Sequence, residues 1–156
     1  MSECSQRIKD WLHINNVDAE LLSFKESVHS VDEAIKVSGY PIERITKSIV
    51  MLTPTDDLVI AVVPANNRAS TKRVRKVLKL SDRPRIATSE EIEKYIGQKA
   101  GGNSPLNAPN AKILIDPKIF EIDWILTGGG DDKHLIKIST EELKRVTIYT
   151  EVRVRK

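Results

Sequence analysis

Three short stretches of the chain carry residue types that can do chemistry. The first is Thr46-Lys47-Ser48, where a lysine stands at the entry to an apolar run. Such a lysine can pack its stem against a sheet and hold its ammonium in a cleft at the sheet end, to meet a phosphate or a developing oxyanion. The plainer alternative is a cation that complements the dipole of the short helix before it. The second stretch is Gly101-Gly102-Asn103-Ser104-Pro105. Paired glycines let backbone N–H groups approach a ligand and the proline stiffens the exit, which suits an anion nest or oxyanion hole; a flexible loop is the alternative. The third is Gly128-Gly129-Gly130-Asp131-Asp132-Lys133-His134. Its glycines fit a hairpin turn needing positive φ, and His134 is either a proton-transfer or hydrogen-bonding group at the sheet end or a structural histidine.

The net charge of +3 conceals an uneven distribution. Arg68, Lys72, Arg73, Arg75, Lys76 and Lys79 form a segment of six basic residues with no acidic one, leaving 19 basic against 22 acidic residues elsewhere. A local cationic element attracts polyanions, nucleic acid above all; a solvated helix face is the alternative.

Several engines are missing. The chain has no G-x-x-x-x-G-K-[ST] loop, no G-x-G-x-x-G after a first strand, no G-x-S-x-G elbow and no C-x-x-C pair. Its one cysteine, Cys4, lies near a terminus expected to be mobile, and His13, His29 and His134 have no zinc-site spacing, so neither metal nor cofactor is expected. The longest apolar run, Leu58 to Val63, is far short of the roughly 20 residues that span a bilayer. No secretory signal pattern opens the chain, so a cytoplasmic protein without membrane contact is expected. A length of 156 residues with 40% hydrophobic and 30% charged residues fits one globular domain, residues 1–156.

The elements that must position these stretches follow from periodicity and punctuation. Helical spacing covers Gln6 to His13, with Asn15-Asn16 as a stop, and Leu21 to Phe24 reads as a short strand. Ser30-Val31-Asp32-Glu33 is a capping box for a helix ending at Gly39, and Pro41 opens a short helix reaching about Thr46. Ile49 to Leu52 and Leu58 to Val63 read as antiparallel neighbours around a turn at Thr53 to Asp57. Ser70 or Thr71 caps a basic helix that buries Val74, Val77 and Leu78 on one face and presents Lys72, Arg73, Lys76 and Lys79 mainly on the other.

Thr88-Ser89-Glu90-Glu91 caps a helix ending by Gly97, and the loop Gln98 to Asn110 follows. Strands are expected at Ile113 to Ile115, Trp124 to Leu126 and Leu135 to Ile138. Ser139-Thr140-Glu141-Glu142 is a third capping box, for a helix to about Arg145, and Ile148, Val152 and Val154 alternate as a final strand would. Without regular βαβ alternation, the expected fold is mixed α/β (α+β): a bent, largely antiparallel, barrel-like sheet with surrounding helices.

From about Ser30 to Thr147, the ordered set of stretches resembles the YbaK/prolyl-tRNA synthetase-associated domain family. The set comprises Ser30-Val31-Asp32-Glu33-Ala34, Ile45-Thr46-Lys47-Ser48-Ile49-Val50, Val62-Val63-Pro64 and Ala87-Thr88-Ser89-Glu90-Glu91-Ile92. Gly101-Gly102-Asn103-Ser104-Pro105, Ile115-Asp116 and the glycine turn leading to His134-Leu135 complete it. The resemblance implies an aminoacyl-tRNA deacylase that hydrolyses the ester joining a wrong amino acid to the 3′-terminal adenosine, often with the substrate's own hydroxyl or thiol as helper. It implies Lys47, Gly101 and Gly102 as catalytic residues, and Ser48, Ser104, Pro105, Gly128, Gly130 and His134 as substrate-binding ones. With that resemblance, Arg68, Lys72, Arg73, Lys76 and Lys79 become candidates for tRNA phosphates.

The expected protein is then a freestanding editing hydrolase acting in trans on a tRNA for proline that carries a wrong small amino acid, independently of metal. Its expected partners are the aminoacylated acceptor end and an aminoacyl-tRNA synthetase. A non-catalytic module binding a nucleotide, a small ligand or a synthetase through the same pocket is the competing reading. General RNA binding fits less well, because seven aromatic residues without basic interleaving supply few stacking surfaces.

Overall fold

The computed structural model describes residues 1–156 and has two sheets. Helix α1 spans Glu3–Ile14 and is capped by the Ser2 side chain, which accepts from Ser5 N. Strand β1 (Ala19–Ser23) leads to α2 (Val31–Ser38), whose Ser30/Glu33 capping box is complete and whose C-cap Gly39 takes φ +77°. A 3₁₀ turn, Ile42–Arg44, then feeds β2 (Thr46–Leu52) and β3 (Leu58–Pro64). Pro41 is the cap of that turn, and Thr46 already belongs to the strand, so the expected helix is one turn shorter than its sequence pattern.

Next come α3 (Thr71–Leu78), β4 (Arg85–Ile86) and α4 (Ser89–Ile96), the last with a complete Thr88/Glu91 box. The chain continues with β5 (Lys112–Ile115), a 3₁₀ segment (Pro117–Glu121), β6 (Trp124–Gly128) and β7 (His134–Ser139). It ends with α5 (Thr140–Val146) and β8 (Thr150–Glu151). The third expected capping box is only half formed: Ser139 accepts from Glu142 N, but the Glu142 carboxylate accepts from Asp18 N and Arg145.

One sheet has the order β1-β7-β6 and is wholly antiparallel. The other runs β4-β2-β3-β5-β8, with β5 parallel to both β3 and β8. The expected β2–β3 hairpin pairs Thr46 with Pro64 through to Leu52 with Leu58. A bridge between Ile45 and Leu126 joins the two sheets, so the assembly is bent and largely antiparallel without closing into a barrel.

The larger core lies between the sheets, where Val50, Ile60, Val62 and Ile115 face Ile125, Ile136 and Ile138, with Ile8 of α1 and Ile92 of α4 packed alongside. On the other face of the five-stranded sheet, Val74 of α3 packs on Met51, Ala61 and Val63. Strand β3 is thus covered on both faces, the reason its sequence is a continuous apolar run rather than an alternating one. The expected alternation at the C-terminal end fails at Ile148, which is 97% exposed, while Val154 is fully buried. Cys4 lies in α1 and is buried, contrary to the expectation of a mobile terminus.

Candidate active site

Lys47 is the second residue of β2, paired with Val63, and its side chain is half-buried with no acidic partner. Burial and, second, the nearby positive charge of Arg68 both lower its pKa from the ordinary lysine value. It stands in the wall of a cleft of about 350 Å³ at the end of the sheet, together with Ser48, His29, Gly101, Asn103 and Gly128. Val28, Val31, Ala34, Ile45 and Leu135 supply an aliphatic side, and no aspartate or glutamate lines the cleft. Nor does any group of three or more His, Cys, Asp or Glu side chains have a placement that could hold a metal ion.

The two glycine stretches form one unit. Gly130 N donates to Gly102 O at 2.9 Å, Gly128 N to Asn103 O at 3.2 Å, and Lys99 N to Gly130 O at 2.8 Å. A Cβ on Gly102 would overlap the backbone of Asp131, and one on Gly128 would overlap the backbone of Gly102 and Asn103. Glycine here serves the close approach of two backbones more than the turn that the sequence suggested. Gly130 alone of the three in the turn has positive φ, +99°, and a Cβ on it would meet Cys4 O of α1 at 2.7 Å. Gly101, at φ +84°, faces the His29 imidazole, which occupies the space a side chain would need.

This pairing alters the expected roles. The Gly102 N–H donates to Lys99 O at 3.0 Å and is spent, whereas the N–H groups of Gly101 and Asn103 have no protein partner. Ser104 is fully buried, and its hydroxyl accepts from Leu106 N. Pro105 lines a different depression with Trp11 and Ala108. His134 is buried against Asp131, outside the Lys47 cleft, and Gly130 likewise contributes nothing to the cleft wall. The structure therefore gathers Lys47, Ser48, Gly101 and Gly128 in one place and sets Gly102, Ser104, Pro105, Gly130 and His134 behind it as support.

Sequence reasoning missed three contributors. Gln98, 2% exposed, donates to Ser104 O and Leu106 O and accepts from Ser104 N, so its amide holds the glycine loop in shape. His29 and Asn103 enter the cleft from loops. The capping residue Ser30 directly after His29 was the available signal, since a cap fixes the chain just before its helix.

Helix α3 presents Lys72, Arg73, Lys76 and its C-cap Lys79 to solvent, and Arg68 is exposed ahead of it. Arg83 and Lys156 border the same surface depression as Lys72 and Arg73, extending the cationic face beyond the sequence cluster. The C-terminal residues are held there by buried Asp116, which accepts from Val154 N, Arg155 N and the Arg155 guanidinium. The Trp124 indole already has Arg44 Cζ at 4.3 Å and Lys137 Nζ at 4.4 Å from its ring centre, which leaves it poorly disposed to stack a base.

The fold is thus of the mixed α/β class, a bent pair of sheets with a lysine and a glycine loop beside one cleft. Residues 25–146 match the aminoacyl-tRNA editing domain model, and the chain belongs to that family. It is 24% identical over 115 residues to a proline–tRNA ligase of Aquifex aeolicus (strain VF5), covering 72% of this chain and 20% of the ligase. The chain thus spans about a fifth of the length of that relative. It is 20% identical over 129 residues to the uncharacterized protein YwhH of Bacillus subtilis (strain 168), covering 82% of this chain and 81% of YwhH. The crystal structure of a candidate trans-editing enzyme for prolyl tRNA synthetase superposes with a TM-score of 0.89 at 19% identity, covering 100% of this chain and 99% of that one. At that identity the superposition establishes the fold. No helix is long and apolar enough to cross a membrane.

Proposed function

We propose that the protein is an aminoacyl-tRNA deacylase that acts in trans, in the cytoplasm, on a tRNA for proline carrying a wrong small amino acid. The observation that carries this reading is the cleft itself: Lys47, without an acidic partner, shares a wall with Gly101 and Asn103, whose backbone N–H groups are unclaimed. Membership of the editing-domain family and the full-length likeness to a candidate trans-editing enzyme support it.

An aminoacyl ester is already activated, so the site has to place the ester carbonyl, admit water and stabilise the tetrahedral oxyanion. Water adds to the carbonyl carbon, the bond to the ribose oxygen breaks, and that oxygen leaves with a proton, giving free amino acid and tRNA. Lys47 holds the terminal phosphate or the carbonyl oxygen, and the N–H groups of Gly101 and Asn103 face the oxyanion. No metal or cofactor is required in this scheme. The exposed cations Arg68, Lys72, Arg73, Lys76 and Lys79 take phosphates of the acceptor stem, with a synthetase as the expected source of the mischarged tRNA.

The test is a panel of mischarged tRNAs given to the wild type and to Lys47→Ala, with release of amino acid measured. Release by the wild type and its loss in the variant support the reading. Silence across the panel would favour a binding module that uses the same cleft for a nucleotide, a small ligand or a synthetase.

A further inference from the structure

Four cations meet in one surface depression of about 340 Å³, and they come from three separate segments. Lys72 and Arg73 stand in the first turn of α3, Arg83 lies in the loop before β4, and Lys156 belongs to the strap that follows β8. Ser70 and Thr71 complete the lining, which holds no hydrophobic and no acidic side chain. None of the four cations takes part in an ion pair. Asp82, beside Arg83 in sequence, is turned to Arg75 Nη1 at 4.0 Å and accepts from Arg83 N.

A solvated helix face accounts for Lys72 and Arg73. It does not account for Arg83 and Lys156, which tertiary contacts bring to the same place. Ser70 N donates to Val154 O at 2.7 Å, Lys156 N donates to Arg68 O at 2.8 Å, and Ala69 forms an antiparallel bridge with Arg155. Fully buried Asp116 pins that strap from beneath, its Oδ1 taking the Arg155 guanidinium at 2.7 Å. The fold thus gathers like charges against their mutual repulsion, which an anion lying between them reverses.

The lining also selects the anion. Guanidinium forks and lysine ammonium groups suit phosphate oxygens. With no aromatic side chain to stack a base and no apolar one to enter a lipid surface, the depression takes a phosphodiester backbone without reading its sequence. Arg68 connects it to the cleft, since its backbone carries Lys156 and its charge acts on Lys47.

We propose that this depression is a phosphodiester socket for an RNA strand, in which Arg83 and Lys156 act with Lys72 and Arg73 as an attachment point beyond the charged face of α3. The choice of RNA rests on the deacylase reading, whereas the socket itself needs neither an aminoacyl group nor hydrolysis.

The test uses the full chain and an unacylated RNA hairpin with a single-stranded 3′ end, with binding followed by fluorescence anisotropy over a series of salt concentrations. Arg83→Ala combined with Lys156→Ala should weaken binding and lower its log–log salt slope by about one unit for each lost contact, alike for hairpins of different base sequence. Lys9→Ala combined with Lys112→Ala removes the same charge from exposed positions, on α1 and at the end of the sheet away from Lys47, and should leave the slope near that of the wild type. All four side chains are exposed, so both variants should melt near the wild-type temperature. An unchanged slope in the first variant, or an equal fall in both, overturns the socket. Tighter binding of a polyglutamate peptide than of RNA, lost in the first variant, would assign the depression to an acidic protein and overturn it as well. Release of amino acid from mischarged tRNA is measured separately. The expected change in slope without release would sustain the socket and sink the hydrolase, and release with an unchanged slope would do the reverse.

Discussion

His134 Nδ1 lies 2.6 Å from Asp131 Oδ1, and the second carboxylate oxygen of Asp131 accepts from the Ser2 hydroxyl. An ionised carboxylate can only accept, so the imidazole proton is on Nδ1. This buried pair couples the cap of α1 to the glycine turn behind the cleft. It gives His134 a structural task, one of the two roles its position after the glycines left open.

Acid stability follows from that carboxylate. Burial, which raises its pKa, is outweighed by hydrogen bonds from Ser2, His134 and Lys133 N, and the pKa falls to about 2. A folded pKa below the unfolded value gives stability that is present above about pH 4 and lost as pH falls through about 2. The contribution is about 2 kcal/mol. Asp131→Asn should lower the melting temperature at pH 6 and flatten its decline between about pH 4 and 2; an unchanged acid limb would refute the assignment.

Lys47 makes the opposite prediction. Its lowered pKa means that the charged form is disfavoured in the fold, a cost present in full at neutral pH and lost as pH rises from the folded pKa to the ordinary lysine value. A rate that depends on the ammonium should therefore fall at a lower pH than an ordinary lysine would give. Arg68→Ala should move that fall to higher pH, and Lys47→Ala should cost about 10²–10³ in rate. A pH–rate profile of the three proteins checks both points.

The paired glycine stretches are expected to be intolerant in a graded way. Gly102→Ala and Gly128→Ala would each drive a Cβ into backbone, whereas a Cβ on Gly39 meets nothing within 4 Å. The first two should cost at least about 1–3 kcal/mol, and Gly39→Ala, strained only by its φ of +77°, about 1 kcal/mol. Denaturant titrations that ranked Gly39→Ala as the worst would overturn the close-approach argument.

The loop brace should show in activity before it shows in stability. Gln98→Ala removes three hydrogen bonds to the segment Ser104–Leu106, leaving buried backbone groups unpaired at a cost of about 1–3 kcal/mol. Release of amino acid should drop by more than the melting shift explains, because Gly101 and Asn103 lose their fixed positions. Wild-type rates in a destabilised variant would remove Gln98 from the support of the site.

For the cationic face, Lys72, Arg73 and Lys76 replaced together by alanine should weaken tRNA binding and flatten its dependence on log salt by roughly one unit for each lost phosphate contact. Adding Lys156→Ala should flatten it further. Binding with an unchanged salt slope would return α3 to a solvated surface.

Local signals were readable from the residues alone. The Ser30/Glu33 and Thr88/Glu91 boxes depend on atoms three positions apart and formed as expected, while the Ser139 box lost its glutamate to Asp18 and Arg145, contacts set by tertiary packing. Lys47, Gly101 and Gly128 were readable as special because their types are unusual where they stand. What escaped was direction: Ser104 and Pro105 turn away from the cleft because Gln98 pulls the loop inward, and nothing local marks that glutamine. The parallel pairing of β3 with β5 escaped for the same reason, since it joins segments about fifty residues apart.

Cys4 packs under Gly130 and is buried, with its thiol pKa raised chiefly by that burial. It is also the chain's sole cysteine. A thiol reagent can therefore modify it efficiently only when the buried face of α1 opens, so the labelling rate reports that local opening. The molecule carries its own stopwatch for that motion, with no second thiol to blur the reading.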